Sequence, residues 1–297
     1  MKKITYISII LFVLCISCED VIDIETPSEP PRLVVEGLIR VDRSQPFIPI
    51  EIKVSLTDNF FGESPVTALE NIVIIYEEFE NGAVISSGSS SLAEEVPGTG
   101  IYTPDPNFSS DQRISTVILD RNFTFTLLIT HEGRRYLAQT KYAPAVPIDS
   151  VFQGNGTLFG DDETEAIISF TDVGTRNDYY VFEFGFGDYL VTEDEFYQGQ
   201  QFQFSWFYDQ TFPSGTEIDI SLMGADEQFY NYMDQLIEQG GDIQGPFQTP
   251  VATVRGNIFD ITDIDNLDRF DNVNRPNIFP LGYFAIVEEF TNTLTIE

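Results

Sequence analysis

Short runs of alternating apolar and polar residues, separated by turn residues, extend through the chain from Arg32 onward. Alternation places every second side chain on one face of a β-strand, which suits a sheet with one buried face. The composition agrees, because 26 Phe and 13 Tyr against 3 Met favour strands over helices. We therefore expect an all-β fold of packed sheets.

The first half of this region predicts an immunoglobulin-like β-sandwich over residues 32–146, closed by Pro144 and Pro147. Asn81-Gly82 indicates a hairpin turn, and we expect His131 to lie at the exposed tip of a second hairpin. The runs typical of strands are residues 33–39, 50–56, 71–77, 83–85, 123–130 and 135–140.

The second half, residues 147–297, predicts a further β-rich domain that carries one helix near residues 226–239. Phe229, Met233, Leu236 and Ile237 share one face at helical spacing, and Gly240-Gly241 supplies a C-terminal stop. The predicted strands are residues 148–152, 166–170, 179–186, 202–208 and 217–223, with 279–286 and 293–296 as two separate closing strands.

The N-terminal residues have the features of a lipoprotein export signal. Lys2 and Lys3 precede an apolar run that is too short to span a bilayer, and the small Ser17 precedes Cys18. We predict a signal peptide over residues 1–17 and lipid attachment to Cys18; the alternative is a plain signal peptide with an incidental cysteine. The acidic and proline-rich residues 18–31 are expected to form an extended tether.

Charge excludes one class of partner. The chain carries 48 acidic against 15 basic residues, a net charge of −33. Binding to nucleic acid needs a basic patch that neutralises phosphates, so we expect no nucleic acid partner. Wholesale disorder is also excluded, because the hydrophobic share of 42% is typical of globular proteins.

Little in the sequence suits catalysis, and we expect a protein that is not an enzyme. His131 is the only imidazole and has no nucleophile motif near it. Cys15 would leave with the signal peptide and Cys18 would be lipidated, so no free thiol would remain. A carboxylate pair that cleaves glycosides stays open, since 48 acidic residues make any particular pair uninformative.

We expect no cofactor, with calcium as a weak alternative. Asp263, Asp265 and Asp268 lie in an acidic segment, and hard oxygen ligands suit Ca²⁺. The spacing departs from an EF-hand, because Leu267 occupies the position of the third ligand and no glycine makes the sharp turn. A solvated acidic loop is the alternative interpretation.

Aromatic residues supply weak candidates for ligand binding. Trp206 alternates with Phe202 and Phe204, which favours the buried face of a strand but also allows a stacking surface. Tyr230 and Tyr232 are expected to be exposed, because the apolar face of the predicted helix is made by other residues.

The order of several motifs resembles a bacterial lipoprotein family, the domain of unknown function DUF4249. The motifs are Leu33-Val34-Val35-Glu36-Gly37, Gly98-Thr99-Gly100-Ile101-Tyr102, Asp194-Glu195-Phe196-Tyr197-Gln198-Gly199, Phe229-Tyr230-Asn231-Tyr232-Met233, Gly245-Pro246-Phe247, Gly256-Asn257-Ile258 and Leu281-Gly282-Tyr283-Phe284-Ala285. The resemblance implies an outer-membrane lipoprotein typically encoded beside a TonB-dependent (SusC-like) receptor, and it transfers no catalytic residue. The departure is the long acidic segment 259–279.

Two functional expectations follow. In the first, the protein is a surface-exposed lipoprotein, held to the outer membrane by its lipid anchor, that partners a TonB-dependent β-barrel receptor in nutrient uptake. In the second, it is a stand-alone adhesin or a calcium-dependent glycan-binding lipoprotein. An apolar patch on the second half would favour the first, and an aromatic platform beside an ion site would favour the second.

Overall fold

Strands make up most of the chain wherever its structure is described. A computed structural model describes residues 30–57, 65–160, 162–240, 253–263 and 279–297, and only one α-helix occurs within these ranges. The predicted all-β fold class is confirmed. The strands are β1 (Leu33–Val41), β2 (Ile52–Leu56), β3 (Asn71–Glu80), β4 (Ala83–Glu94), β5 (Ile101–Pro104), β6 (Phe123–His131), β7 (Arg134–Ala143), β8 (Ile148–Gln153), β9 (Thr164–Thr171), β10 (Tyr179–Glu183), β11 (Tyr189–Glu193), β12 (Gln201–Tyr208), β13 (Glu217–Ala225), β14 (Ile258–Asp260) and β15 (Leu281–Thr295), and the helix is α1 (Glu227–Gly240).

The first seven strands enclose one hydrophobic core. Hydrogen bonding passes from β1 through β2, β5, β4, β3 and β6 to β7, and β15 closes the circuit by pairing in parallel with both β1 and β7. The alternation predicted from sequence is visible in β1, where Val35 and Ile39 are buried while Glu36 is exposed. Apolar side chains of this circuit therefore point to a shared interior.

A second core lies between the sheet β12-β9-β8 and the strands β10, β13 and β15. It is built largely of rings. Phe170 packs against Tyr180, Phe182 and Tyr197 with ring centroids 5.6, 5.5 and 5.4 Å away. Six phenylalanine and tyrosine side chains are buried in this core, where each ring removes a large apolar area from water.

Helix α1 covers the opposite face of β10 and β13. Phe229 and Met233 are buried there against Val181 and Met223. Asp226 caps the helix, since its Oδ1 accepts the Phe229 N–H at 2.7 Å. The helix predicted near residues 226–239 is confirmed, with Gly240 as its last residue.

Several sequence expectations are wrong in detail. The two closing strands are one continuous strand, β15, and the strand predicted over residues 179–186 ends at Glu183. His131 ends β6 next to the predicted hairpin turn, but it is only 5% exposed, and its Nε2 lies 2.7 Å from the Thr67 hydroxyl. The predicted boundary at residues 146–147 lies between β7 and β8 and stays a prediction, since β15 contributes Phe284 to the first core and Leu294 to the second.

Two segments meet at very close backbone distance near the start of β15. A Cβ atom on Gly256 would lie 1.6 Å from the Gly282 carbonyl oxygen, and one on Gly282 would lie 1.9 Å from the Val35 carbonyl oxygen. Asn257 binds beside them, donating to the Phe284 carbonyl at 2.7 Å and accepting the Phe284 N–H at 2.9 Å. The side-chain amide of Asn257 thus pairs with the Phe284 backbone as a neighbouring strand would.

Substituting Gly282→Ala should destabilise the protein strongly. Gly282 has φ +94, and the new methyl group would meet a carbonyl of β1 that cannot move without breaking the β1–β15 pairing. We expect a loss of more than about 3 kcal/mol in the free energy of unfolding by denaturant titration. Gly82→Ala is the matched control: its φ is +79 but nothing lies within 4 Å, so only about 1 kcal/mol of backbone strain should appear. Equal losses would contradict the steric argument.

Candidate functional site

Three loops come together at the end of the second core where β15 ends. We call residues 154–160, 184–188 and 209–216 the aromatic tip. Contacts between chain segments place them there: the Thr164 hydroxyl donates to the Gln210 carbonyl at 2.9 Å, and the Gly215 N–H donates to the Ile296 carbonyl at 2.8 Å. The β10–β11 turn joins them, because Gly185 lies against Ile218 near the start of β13.

The aromatic tip exposes large apolar side chains. Phe159 is 90% exposed, Phe186 66% and Leu158 59%. Single exposed apolar residues are ordinary on protein surfaces, but a group of them at one end of a domain is typical of a binding surface.

Phe186 is held in a backbone conformation that bulky residues rarely adopt. Its φ is +55, between Gly185 at +74 and Gly187 at +87. The turn is closed by two hydrogen bonds, from the Phe184 N–H to the Asp188 carbonyl and from the Asp188 N–H to the Gly185 carbonyl. A bulky side chain in the left-handed region costs roughly 1 to 3 kcal/mol. Burial of the ring does not offset this strain, because the ring is 66% exposed.

The Phe186 ring packs against the rings of Phe212 and Tyr208. It stacks on Phe212 at 5.4 Å and 20°, and both rings meet the edge or face of the buried Tyr208 ring at nearly right angles. The Tyr208 hydroxyl donates to the Phe184 carbonyl at 2.9 Å, and burial raises the pKa of this hydroxyl. Tyr208 is therefore a neutral donor that ties the aromatic tip to the core.

A carboxylate organises the loop that carries Phe159. The side chain of Glu163 accepts the backbone N–H groups of both Leu158 and Phe159, the latter at 3.0 Å. Glu165 also binds this loop nearer its start: its side chain accepts the Gly156 N–H at 2.6 Å and the Ser205 hydroxyl at 2.5 Å. These bonds fix the backbone of the loop that carries the exposed side chains.

The charge around these rings is of one sign. Asp162, Asp188 and Asp209 are exposed at or beside the three loops, and no lysine or arginine occurs within residues 154–163, 184–188 or 209–216. The aromatic tip is therefore an apolar surface with an acidic surround.

A buried carboxylate cluster lies at the other end of the second core. The Tyr180 hydroxyl lies 2.6 Å from Asp172 Oδ1 and 3.0 Å from Asp178 Oδ2, and Arg176 Nε pairs with Asp178. Burial raises the pKa of Asp178, against the opposing effect of Arg176. Asp194 accepts the Asp178 N–H at 2.9 Å. These carboxylates are occupied in joining two loops, so the geometry gives them a structural role.

The aromatic residues predicted as binding candidates lie apart from one another. Trp206 is half-buried and stacks on Phe184 with centroids 4.1 Å apart, as the core interpretation predicts. Tyr230 and Tyr232 were expected to be exposed, but both are half-buried, because their rings pack on Tyr179 at 5.1 Å and Tyr283 at 4.7 Å. The three side chains do not form one surface.

The remaining predicted site residues are only partly described. Asp263 lies in a turn after β14 with φ +61, whereas Asp265, Asp268 and Cys18 lie outside the described residues. Within the ranges that the structure describes, no group of three or more acidic, His or Cys side chains is placed to hold a metal ion. In the same ranges, no helix has the length and apolar character needed to cross a membrane.

A separate cleft lies on the outer face of β3, β6 and β7. It has a volume of about 690 Å³, within the range of small-molecule sites. Ile75, Leu128 and Leu137 contribute apolar surface, and Gln139 and Arg135 contribute polar groups.

The fold and the aromatic tip define an all-β protein with an exposed apolar surface. Comparison with known proteins shows the family to which the chain belongs. The model of the Domain of unknown function (DUF4249) matches residues 19–266, and the chain belongs to that family. No curated protein matches the sequence.

Solved structures give only distant likenesses. Red sea bream transglutaminase has a TM-score of 0.22 at 8% identity, covering 91% of this chain and 32% of that one, so the chain spans about a third of that enzyme. The chicken interferon gamma receptor alpha chain has a TM-score of 0.18 at 8% identity, covering 67% and 90%. A DUF3823 family protein from Bacteroides uniformis has 0.17 at 9% identity, covering 66% and 89%. Structural similarities with TM-scores this low do not indicate a function.

Phe159 and Phe186 are not predicted from the sequence as candidate binding residues. A signal for the second was present, because Gly185-Phe186-Gly187 interrupts a run interpreted as a strand, and glycines on both sides of a residue favour a turn. Nothing in the sequence distinguished Phe159 from the many other phenylalanines.

If Phe186 serves binding and not stability, replacing it should change the free energy of unfolding very little. Phe186→Asn removes the contact with Phe212 but relieves the backbone strain, since Asn tolerates the left-handed region. We expect a change within about 1 kcal/mol in the free energy of unfolding. Phe184→Ala, two residues earlier and fully buried, should cost about 3 to 5 kcal/mol. A comparable loss for Phe186→Asn would make the ring a structural residue.

Proposed function

We propose that the chain is a non-enzymatic binding protein, held to the outer membrane through a lipid on Cys18 and exposed at the cell surface. In this proposal it is an accessory component of a TonB-dependent nutrient uptake system. The observation that carries it is the aromatic tip: exposed apolar side chains, one of them on a strained turn, held in place by hydrogen bonds and packed rings.

A protein partner accounts for this surface. Exposed, rigid aromatic side chains bind protein partners well, because they bury much apolar area and lose little conformational freedom. The aromatic tip lies in the second half of the chain, where an apolar patch favours the receptor partner over the adhesin. The N-terminal sequence and the resemblance to outer-membrane lipoproteins support the proposed location.

The cleft on β3, β6 and β7 favours a second candidate, a stand-alone glycan-binding lipoprotein. Its mixture of apolar and polar lining groups suits a small polar ligand such as an oligosaccharide. Calcium dependence of such binding would rest on Asp263 together with residues outside the described ranges.

Lipid anchoring has a direct test. Cys18→Ala should move the protein from the membrane fraction to the soluble fraction, because the lipid would be its only stable attachment. Cys15→Ala is the control and should leave the fractionation unchanged. Added protease should remove the wild-type protein from intact cells if it faces outward. A Cys18→Ala protein that stays with the membrane would contradict the anchor.

The partner is tested by affinity purification of the tagged, lipidated protein from detergent-solubilised membranes. We expect a TonB-dependent β-barrel receptor in near-equal amount. Recovery of the protein alone, together with an increase in melting temperature on adding an oligosaccharide, would favour the glycan-binding candidate instead.

A further inference from the structure

We infer that the aromatic tip docks into an apolar pocket with a basic rim on a protein partner. This inference rests on the proposed function and deepens it by naming the part of the chain that makes contact and the chemistry of the surface that it meets.

The charge of the aromatic tip argues against a membrane as the occupant. Bacterial membrane surfaces carry anionic groups, which would repel the exposed Asp162, Asp188 and Asp209.

The same aspartates indicate the kind of surface that the aromatic tip would bind. Acidic residues around apolar side chains complement a pocket with lysine or arginine at its rim, and such complementarity raises the association rate and excludes acidic surfaces. Phe159 and Phe186 would supply the buried contact, and the carboxylates would remain at the wetter edge of the interface. Binding should therefore weaken as salt is added.

The test compares two exposed aromatic positions at opposite ends of the second core. The double variant Phe159→Ala/Phe186→Ala removes the two rings of the aromatic tip. Phe196→Ala removes a ring that is 84% exposed in the turn between β11 and β12, beside the buried carboxylate cluster. Each lipidated protein is purified from detergent-solubilised membranes, and the amount of β-barrel receptor recovered with it is measured.

We expect at least a tenfold loss of receptor with the double variant, wild-type recovery with Phe196→Ala, and a loss of a few-fold with Asp188→Asn/Asp209→Asn. A photoreactive phenylalanine analogue at position 186 should crosslink to the receptor in intact cells, and the same analogue at position 196 should not. Unfolding by denaturant checks that each variant is folded.

Two results would overturn the docking and leave the proposed function intact. One is full receptor recovery with the double variant. The other is a Phe186→Trp variant whose emission shifts to the blue on adding phosphatidylethanolamine–phosphatidylglycerol vesicles, relative to wild type with Trp206 alone, because the tip would then enter lipid. A wild-type protein that recovers no receptor would contradict the proposed function itself, and the docking with it.

Discussion

The hydrogen bonding of β15 is the constraint on which the rest of the structure depends. This strand pairs in parallel with β1 and β7 and in antiparallel fashion with β13, so it borders both cores. Its first half closes the circuit of β1 to β7, and its second half lies under the aromatic interior of the second core. Because these pairings join residues far apart in sequence, neither core is complete until the C-terminal segment is in place. Arg40 reinforces the junction by reaching Glu183 and Glu289 at 2.5 and 3.2 Å.

The motifs that carry the family resemblance lie largely at positions that the backbone demands. Gly256-Asn257-Ile258 and Leu281-Gly282-Tyr283 meet where two segments pass too close for a Cβ atom. In Asp194–Gly199, the Gly199 N–H donates to buried Asp172 at 2.7 Å, while Tyr197 packs in the second core. These motif residues therefore have structural roles. The residues of the aromatic tip fall outside the motifs, so the resemblance does not extend to the chemistry of that surface.

Much of the fold could be predicted from the sequence, because alternation in strands and the helical spacing of Phe229 and Met233 are local patterns. What could not be predicted depends on distant partners. The buried His131 ring is paired with the Thr67 hydroxyl, and Tyr232 packs on Tyr283, contacts that no spacing in the sequence reveals. The candidate site was missed for the same reason, since its three loops meet only after β9, β10 and β13 have assembled. Only the glycines around Phe186 gave a local sign.

The acidic composition and the apolar tip make physical sense together. Exposed rings such as Phe159 and Phe186 would favour contact between copies of the chain, since burying them in any apolar surface is favourable. A net charge of −33 opposes such contact, because two copies repel each other before the tips can meet. A partner with a basic rim, as we propose, would meet the opposite field and be attracted. The charge that opposes contact between copies would thus favour the complementary partner, and the hydrogen bonds to Glu163 and the packing on Tyr208 would reduce the entropy lost on binding.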